Sequence, residues 1–261
     1  MNVATIEEID QLSYFDFLAY LGDLSLHPGG IRSTAEAFGS VDLGVRAKVL
    51  EVGCGTGFTT INLLNAGFNL TSCDANEKMV KATEENVKSR GYFGFTPIVA
   101  NAAKLPFENN SFDFILIEAV MAFIDDIDTA VAEFNRVLKP GGFLGIVDMF
   151  YTEFLDEALK KGLLSVFGKE INVFDKTGIE NVLKGNFNIN YWKDYGMNIK
   201  GHVGLDQLEK IIRKKFPNLS SEEVEAMAER MEDKYNAQQD VFDQNRAILR
   251  YFVSTWSKSR K

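Results

Sequence analysis

The chain has 261 residues, 46% of them hydrophobic and 25% charged, with a formal net charge of −9. That length and apolar content suffice for one α/β domain with additions, and the acidic balance argues against a phosphate backbone as partner. No uninterrupted apolar run approaches the roughly 18 residues of a membrane span, so no membrane role is expected.

Apolar residues at Ile6, Ile9, Leu12, Phe17 and Leu21 recur at helical spacing and predict one opening amphipathic helix. "HPGGIRST" (27–34) breaks it, and a short helix follows to about Phe38. A regular alternation then begins. "AKVLEV" (47–52) reads as a strand, "FTTINLLNA" (58–66) as a helix, "NLTSCD" (69–74) as a strand and "NEKMVKATEENVKSR" (76–90) as a helix. "FTPIV" (95–99) and "FDFILIEA" (112–119) are strands. "DTAVAEFNRVL" (128–138) is a helix ended by Pro140, and "GFLGIVDMF" (142–150) is the fifth strand. Such alternation with short loops implies a parallel sheet covered on both faces.

Beyond Tyr151 a helical stretch (152–167) leads to "NFNINYWKDY" (186–195), a sixth strand. Two helices follow, "GLDQLEKIIRKKF" and "SSEEVEAMAERMEDKYNAQQDVFDQ", the second opening with Ser220 and Glu223 at capping-box spacing. "AILRYFVSTW" (247–256) is a seventh strand. The expected division is a helical cap (1–44), an α/β core (45–195), a helical insertion (196–246) and a last strand and tail (247–261). Cys54 and Cys73 each sit in an apolar stretch, which favours buried thiols in a reducing compartment. With an N-terminus lacking an apolar signal core, the expectation is a cytoplasmic protein; monomer and homodimer both stay open.

"KVLEVGCGTG" (48–57) places glycines at 53, 55 and 57 directly after the first strand. A dinucleotide fingerprint would need G-x-G-x-x-G, and its third glycine position here is Phe58. An acid does follow at the proper distance: Asp74 ends the second strand, where one carboxylate can bridge two ribose hydroxyls. "VLEVGCGTG", "SCDAN", "ANAAKLPFENNSFDFI" (100–115) and "EFNRVLKPGGFLGI" (133–146), in that order, resemble the motifs of the class I S-adenosylmethionine-dependent methyltransferases of the UbiE type. The resemblance weakens before Val45 and after Phe150.

It implies a Rossmann-like fold, a mostly parallel seven-stranded sheet with helices on both faces and an added helical lid, and S-adenosylmethionine as cofactor. It further implies that the main chain around Glu51, Gly53, Cys54, Gly55 and Gly57 holds the methionine end and Asp74 the ribose. Ala75 and Met79 line the adenine face, and Asn101 and Ala102 meet its edge. Asn101 departs from the usual Asp; an amide carbonyl can still accept from the adenine amino group, and capping of a turn is the other reading. "HPGG" with Gly29, Gly30 and Thr34 resembles a segment that roofs the cofactor in some of these enzymes, and equally fits a turn between helices.

Methyl transfer by in-line displacement depends chiefly on near-attack geometry, and a general base is required only where the acceptor must lose a proton early. Glu118 ends the fourth strand inside "ILIEAVMAF", a costly place for a carboxylate unless paired or functional, and Asp148, ending the fifth strand, raises the same question in weaker form. Glu118 and His27 are the candidate catalytic residues, with Glu118 also a cofactor contact; His202 is a weaker candidate base, and no metal site is expected. Phe123, Phe150, Tyr151, Tyr191, Trp192 and Tyr195 are acceptor-pocket or core aromatics. Lys210, Arg213, Lys214 and Lys215 read as a solvated helix face. The function expected is methyl transfer to a small molecule. A peptide or protein methylase, a cofactor-binding protein without methyl transfer and, least of all, a nicotinamide oxidoreductase are the rivals.

Overall fold

The structure, a computed structural model, describes residues 5–22, 27–197 and 204–258. Seven strands form one sheet: β1 (Lys48–Val52), β2 (Asn69–Asp74), β3 (Ile98–Val99), β4 (Phe112–Glu118), β5 (Leu138–Tyr151), β6 (Phe187–Gly196) and β7 (Leu249–Lys258). Their order is β3-β2-β1-β4-β5-β7-β6. Pairing is parallel from β3 through β5, and β7 runs antiparallel to both β5 and β6. This is the mostly parallel, seven-stranded α/β fold that the sequence implied.

Alternate residues of the central strands serve opposite faces. Val49, Phe114 and Leu116 pack with Leu63 of α4 (Phe58–Asn65) and Phe38 of α3 (Ile31–Gly39). Leu50, Ile115 and Ile117 pack with Phe134 of α6 (Ile127–Val137) and Ile179 of α8 (Lys176–Leu183). Both faces are therefore dry, which explains why β1 and β4 read as continuous apolar runs. The strand order reverses between β1 and β4, and the crevice beyond their carboxyl ends is where ligands of such sheets bind.

Five local expectations change. The opening helix is two, α1 (Ile6–Asp10) and α2 (Tyr14–Leu21), because the Ser13 hydroxyl accepts the Asp16 N–H and starts a new helix. The strand expected over 95–99 shrinks to Ile98–Val99, since Pro97 lacks the N–H for a ladder. The fifth strand continues past Asp148 to Tyr151, so Asp148 lies within it rather than at its end. α8 was hidden by Gly178 in an eight-residue segment; Asp175 caps it by accepting the Gly178 N–H. The helical stretch expected over 152–167 begins at Glu157 as α7 (Glu157–Phe167), with Asp156 as its cap.

In the insertion, α9 (Leu205–Lys215) and α10 (Ser221–Gln244) form as expected, with the Ser220–Glu223 capping box in place. These helices and α2 share one apolar cluster. Phe17 and Tyr20 meet Leu208, Ile212, Met227 and Met231, and the cluster reaches Met79 and Ala82 of α5 (Glu77–Ser89). Arg230 pairs with Asp10, and Lys234 Nζ donates to the carbonyls of Ile9, Asp10 and Leu12, each at 2.9 Å. An ammonium on the orphan carbonyls of a helix end is a favourable cap. Cap and insertion are thus fastened to each other over α5. Lys215 lies over the Tyr20 ring at 4.7 Å, so its stem covers apolar surface.

Candidate active site

The glycine loop turns sharply because Gly53, Gly55 and Gly57 all take positive φ, at 82°, 55° and 95°. Gly53 and Cys54 donate their N–H groups to the Cys73 carbonyl, tying the loop to β2. Asp74, ending β2, accepts the Gly55 N–H at 3.0 Å on Oδ2 and the Asn76 N–H at 2.9 Å on Oδ1. Burial holds its carboxyl above the usual range. A carboxylate has about four acceptor positions, so Asp74 keeps capacity after both bonds. Asn76 caps α5 through the Lys78 and Met79 N–H groups; Ala75 stays exposed and Met79 is buried. The Ala100 N–H donates to the Asp74 carbonyl, which brings residues 100–102 alongside. There Ala102 is buried, and the Asn101 side-chain oxygen accepts the Ala103 N–H at 2.8 Å, so it caps the turn.

Two buried carboxyl groups flank the loop. Glu51, 3% exposed, accepts the Thr60 hydroxyl at 2.6 Å and the Ser72 hydroxyl at 2.5 Å. Glu118, at the end of β4, accepts Thr34 Oγ1 at 2.7 Å and Thr59 Oγ1 at 2.5 Å. His27 Nε2 lies 3.2 Å from Glu118 Oε2, and its Nδ1 lies 3.2 Å from the Pro28 carbonyl. A proton on Nδ1 satisfies that carbonyl, leaving Nε2 and Oε2 to share a single proton. The "HPGG" turn therefore does reach Glu118, and α3 carries Thr34 there. Gly29 is exposed in this turn and approaches the ring of Tyr251; Gly30 precedes α3. Thr59, Thr60 and Ser72 escaped the sequence reading. The signal was available as two adjacent threonines and a serine in segments otherwise apolar.

Burial, opposed by these hydroxyls, pushes Glu118 up to about 7 and Glu51 up to about 8. Burial pulls His27 down to about 4. Both glutamates then hold protons in the folded state that the unfolded chain releases near pH 4.5, so their stabilisation is lost progressively from there until pH has passed 7 to 8. His27 acts in the opposite sense only between about 4 and its unfolded value near 6.5. The ligand-free protein is expected to lose stability between about pH 5 and 8, by on the order of 1–2 kcal/mol per pH unit, read as a falling melting temperature that levels off above 8. Glu51→Gln should flatten that fall. A profile that rises across this window would contradict neutral burial of the two glutamates.

Past Glu118 the chain enters Ala119 at a φ of 54°, unusual for a residue with a Cβ, and a 3-10 turn over Met121–Phe123. A cavity lies behind this turn, lined by Ala122, Phe123, Asp148, Tyr151, Phe167 and Phe242 among others. Phe123 and Phe167 meet edge to face at 5.0 Å, and Phe15 of α2 meets Phe123 at 4.9 Å. Of the aromatics singled out from sequence, Phe123 and Tyr151 line this cavity. Phe150 and Trp192 pack in the core with Phe252, and Tyr191 and Tyr195 donate to Glu36. His202 lies outside the described residues. Cys54 and Cys73 are free buried thiols whose pKa values burial raises. No helix among the described residues is long and apolar enough to cross a membrane.

Residues 50–146 match the family model described as a methyltransferase domain. The demethylmenaquinone methyltransferase of Bacillus pumilus is 33% identical over 133 residues, which is 50% of this chain and 56% of that protein. The chain thus spans just over half the length of the curated relatives it matches. The [4+2]-cyclase SpnF superposes at a TM-score of 0.68 with 17% identity, over 96% of this chain and 98% of its own. Phosphoethanolamine N-methyltransferase 2 of Haemonchus contortus, solved with S-adenosyl-L-methionine, superposes at 0.64 with 18% identity, over 99% of this chain and 61% of its own. At such identities the structural likeness speaks for the fold.

Proposed function

We propose, for a chain whose residues 50–146 form a class I S-adenosylmethionine-dependent methyltransferase domain, that it transfers a methyl group from S-adenosylmethionine to a small-molecule acceptor. The observation that carries the cofactor is Asp74, fixed by the Gly55 and Asn76 amides beside a loop of positive-φ glycines and retaining acceptor capacity. The residues present fit the group. A ribose diol suits that carboxylate, the unbranched glycine loop admits close backbone approach, and two buried carboxyl groups suit a ligand carrying an ammonium and a sulfonium. Bound, the cofactor supplies a methyl group activated by positive sulfur.

In this reading the protein's own groups bind and orient. Asp74 holds the ribose, and Glu51 with the loop from Gly53 to Gly57 holds the methionine end. Ala75 and Met79 flank the adenine, with Asn101 and Ala102 at its edge. Thr34, Gly29 and Gly30 roof the site. Glu118 and His27, sharing one proton, form the pair able to accept a proton from an acceptor group at Oε2 or Nε2. The cap (1–44) and insertion (196–246) act as a lid that excludes water. That lid favours a small acceptor over a polypeptide. The named demethylmenaquinone methyltransferases among the relatives point the same way. Two free buried cysteines accord with action in the cytoplasm.

The rival is cofactor binding without methyl transfer, kept open because a cyclase shares the fold. Calorimetric titration with S-adenosylmethionine, S-adenosylhomocysteine and NAD is the test. Micromolar binding of the first two and none of NAD is expected. Binding of NAD alone overturns the reading, and cofactor binding with no methylated product from a broad acceptor screen favours the rival.

A further inference from the structure

The turn that follows Glu118 is gripped from two segments by groups that the reaction does not otherwise use. From the sheet, Asp148 of β5 accepts the Val120 N–H at 3.0 Å and the Met121 N–H at 2.9 Å on one oxygen, and the Met149 N–H on the other. From the segment after α7, Asn172 donates its backbone N–H to the Ala122 carbonyl at 2.8 Å and its side-chain amide to the Ile124 carbonyl at 2.7 Å. Lys169 adds an ammonium to the Phe123 carbonyl at 3.2 Å. The N–H groups of Val120 and Met121 and the carbonyls of Ala122, Phe123 and Ile124 thus all have partners outside the turn.

The turn needs such a hold. Ala119 sits in the left-handed region, which costs about 1–2 kcal/mol for a residue with a Cβ. Strain of that kind persists only where the surroundings over-determine it. What the hold achieves is visible at the next residue. Val120 is pressed so closely on the glycine loop that a Cβ on Gly53 would lie 2.2 Å from its Cγ2. On its other side the same turn presents Ala122 and Phe123 to the aromatic cavity. One short turn is thus the wall shared by the glycine loop and the cavity. Asp148 is 2% exposed and among the described residues has no charged partner, an expensive placement for a carboxyl group bonded there to this turn and to its own neighbour.

We infer that Asp148 and Asn172 are paired positioning residues: together they hold the turn 119–124 so that Val120 closes the glycine loop around the cofactor. The inference rests on the cofactor reading above. It assigns a role to a segment, 169–172, that lies outside the matched family region and that sequence reading passed over.

The test is S-adenosylhomocysteine affinity by calorimetry, with amide hydrogen exchange on the peptide covering 119–124. Asp148→Asn keeps the side chain's shape but turns one acceptor into a donor facing an N–H, and Asn172→Ala removes the other side-chain hold. Each is expected to weaken binding about tenfold and to speed exchange in the turn, with the double variant showing less than the product of the two losses. Leu183→Ala, on the buried face of α8, is the structural control. It should lower the melting temperature comparably and leave affinity within twofold. Should Asp148→Asn, folded, bind as the wild type does, or should Leu183→Ala weaken binding equally, the positioning role is overturned while the cofactor reading stands. Wild-type protein that binds neither S-adenosylmethionine nor S-adenosylhomocysteine overturns the cofactor reading itself, and the inference with it.

Discussion

Asp74→Asn is expected to weaken S-adenosylmethionine binding by roughly a hundredfold or more, and Asp74→Ala by at least as much. A hydrogen bond to a charged group contributes about 1.5–3 kcal/mol, and a carboxylate facing a ribose diol accepts two. Each 1.4 kcal/mol is a factor of ten in the dissociation constant. The two variants differ in what they do to the fold. Asp74 also accepts the Gly55 and Asn76 N–H groups, so alanine strands two donors at the mouth of the glycine loop, at about 1–3 kcal/mol for each one left buried. In the sequence this aspartate stood out only as the expected holder of the ribose. Its position makes it part of the loop's own scaffold. Asparagine keeps one acceptor oxygen and loses the charge, and is therefore the cleaner probe. Calorimetry on Asp74→Asn, with melting curves to establish that it is folded, decides the matter. Affinity within threefold of wild type would remove Asp74 from the ribose.

The part of this molecule legible in its sequence is the part where each residue answers to one local demand. β1 and β4 must be apolar on both faces, so they read as strands without ambiguity. The turn at 53–57 must take positive φ, so glycines mark it. Glu118 was conspicuous because a carboxylate among Ile, Leu and Val has to be accounted for. What stayed hidden depends on segments distant in the chain. Thr34 and Thr59 reach Glu118 across separations of 84 and 59 residues, a meeting that depends on the fold and not on the pattern around either threonine. The break between α1 and α2 and the helix α8 turn on single capping residues, Ser13 and Asp175, which outweigh a weak helical periodicity. Asp148 was noticed for its burial, but its actual bonds go to backbone amides of another strand's end, a kind of partner that no side-chain pattern records.

Gly53→Ala is expected to abolish measurable cofactor binding and to cost about 2–5 kcal/mol of stability, the sum of a left-handed backbone and an overpacked contact. The two contributions can be separated because they have different physical sources. Gly53 has a φ of 82°, a strain that any Cβ incurs. The contact is with one atom group, since the added Cβ would lie 2.2 Å from Val120 Cγ2 and 3.4 Å from Val120 Cβ. Val120→Ala deletes the offending methyl groups and leaves a tolerable distance. In the double variant the overpacking disappears and the backbone strain remains. The melting temperature of Gly53→Ala/Val120→Ala should therefore lie above that of Gly53→Ala alone, even though Val120→Ala by itself destabilises. Such a reversal of sign is the signature of two residues in direct contact. Binding should return only in part, because the turn after Glu118 no longer presses a full side chain against the loop. Additive losses in the cycle would mean that the loop relaxes away from Val120, and that the strain at Gly53, rather than the contact, governs both folding and binding there.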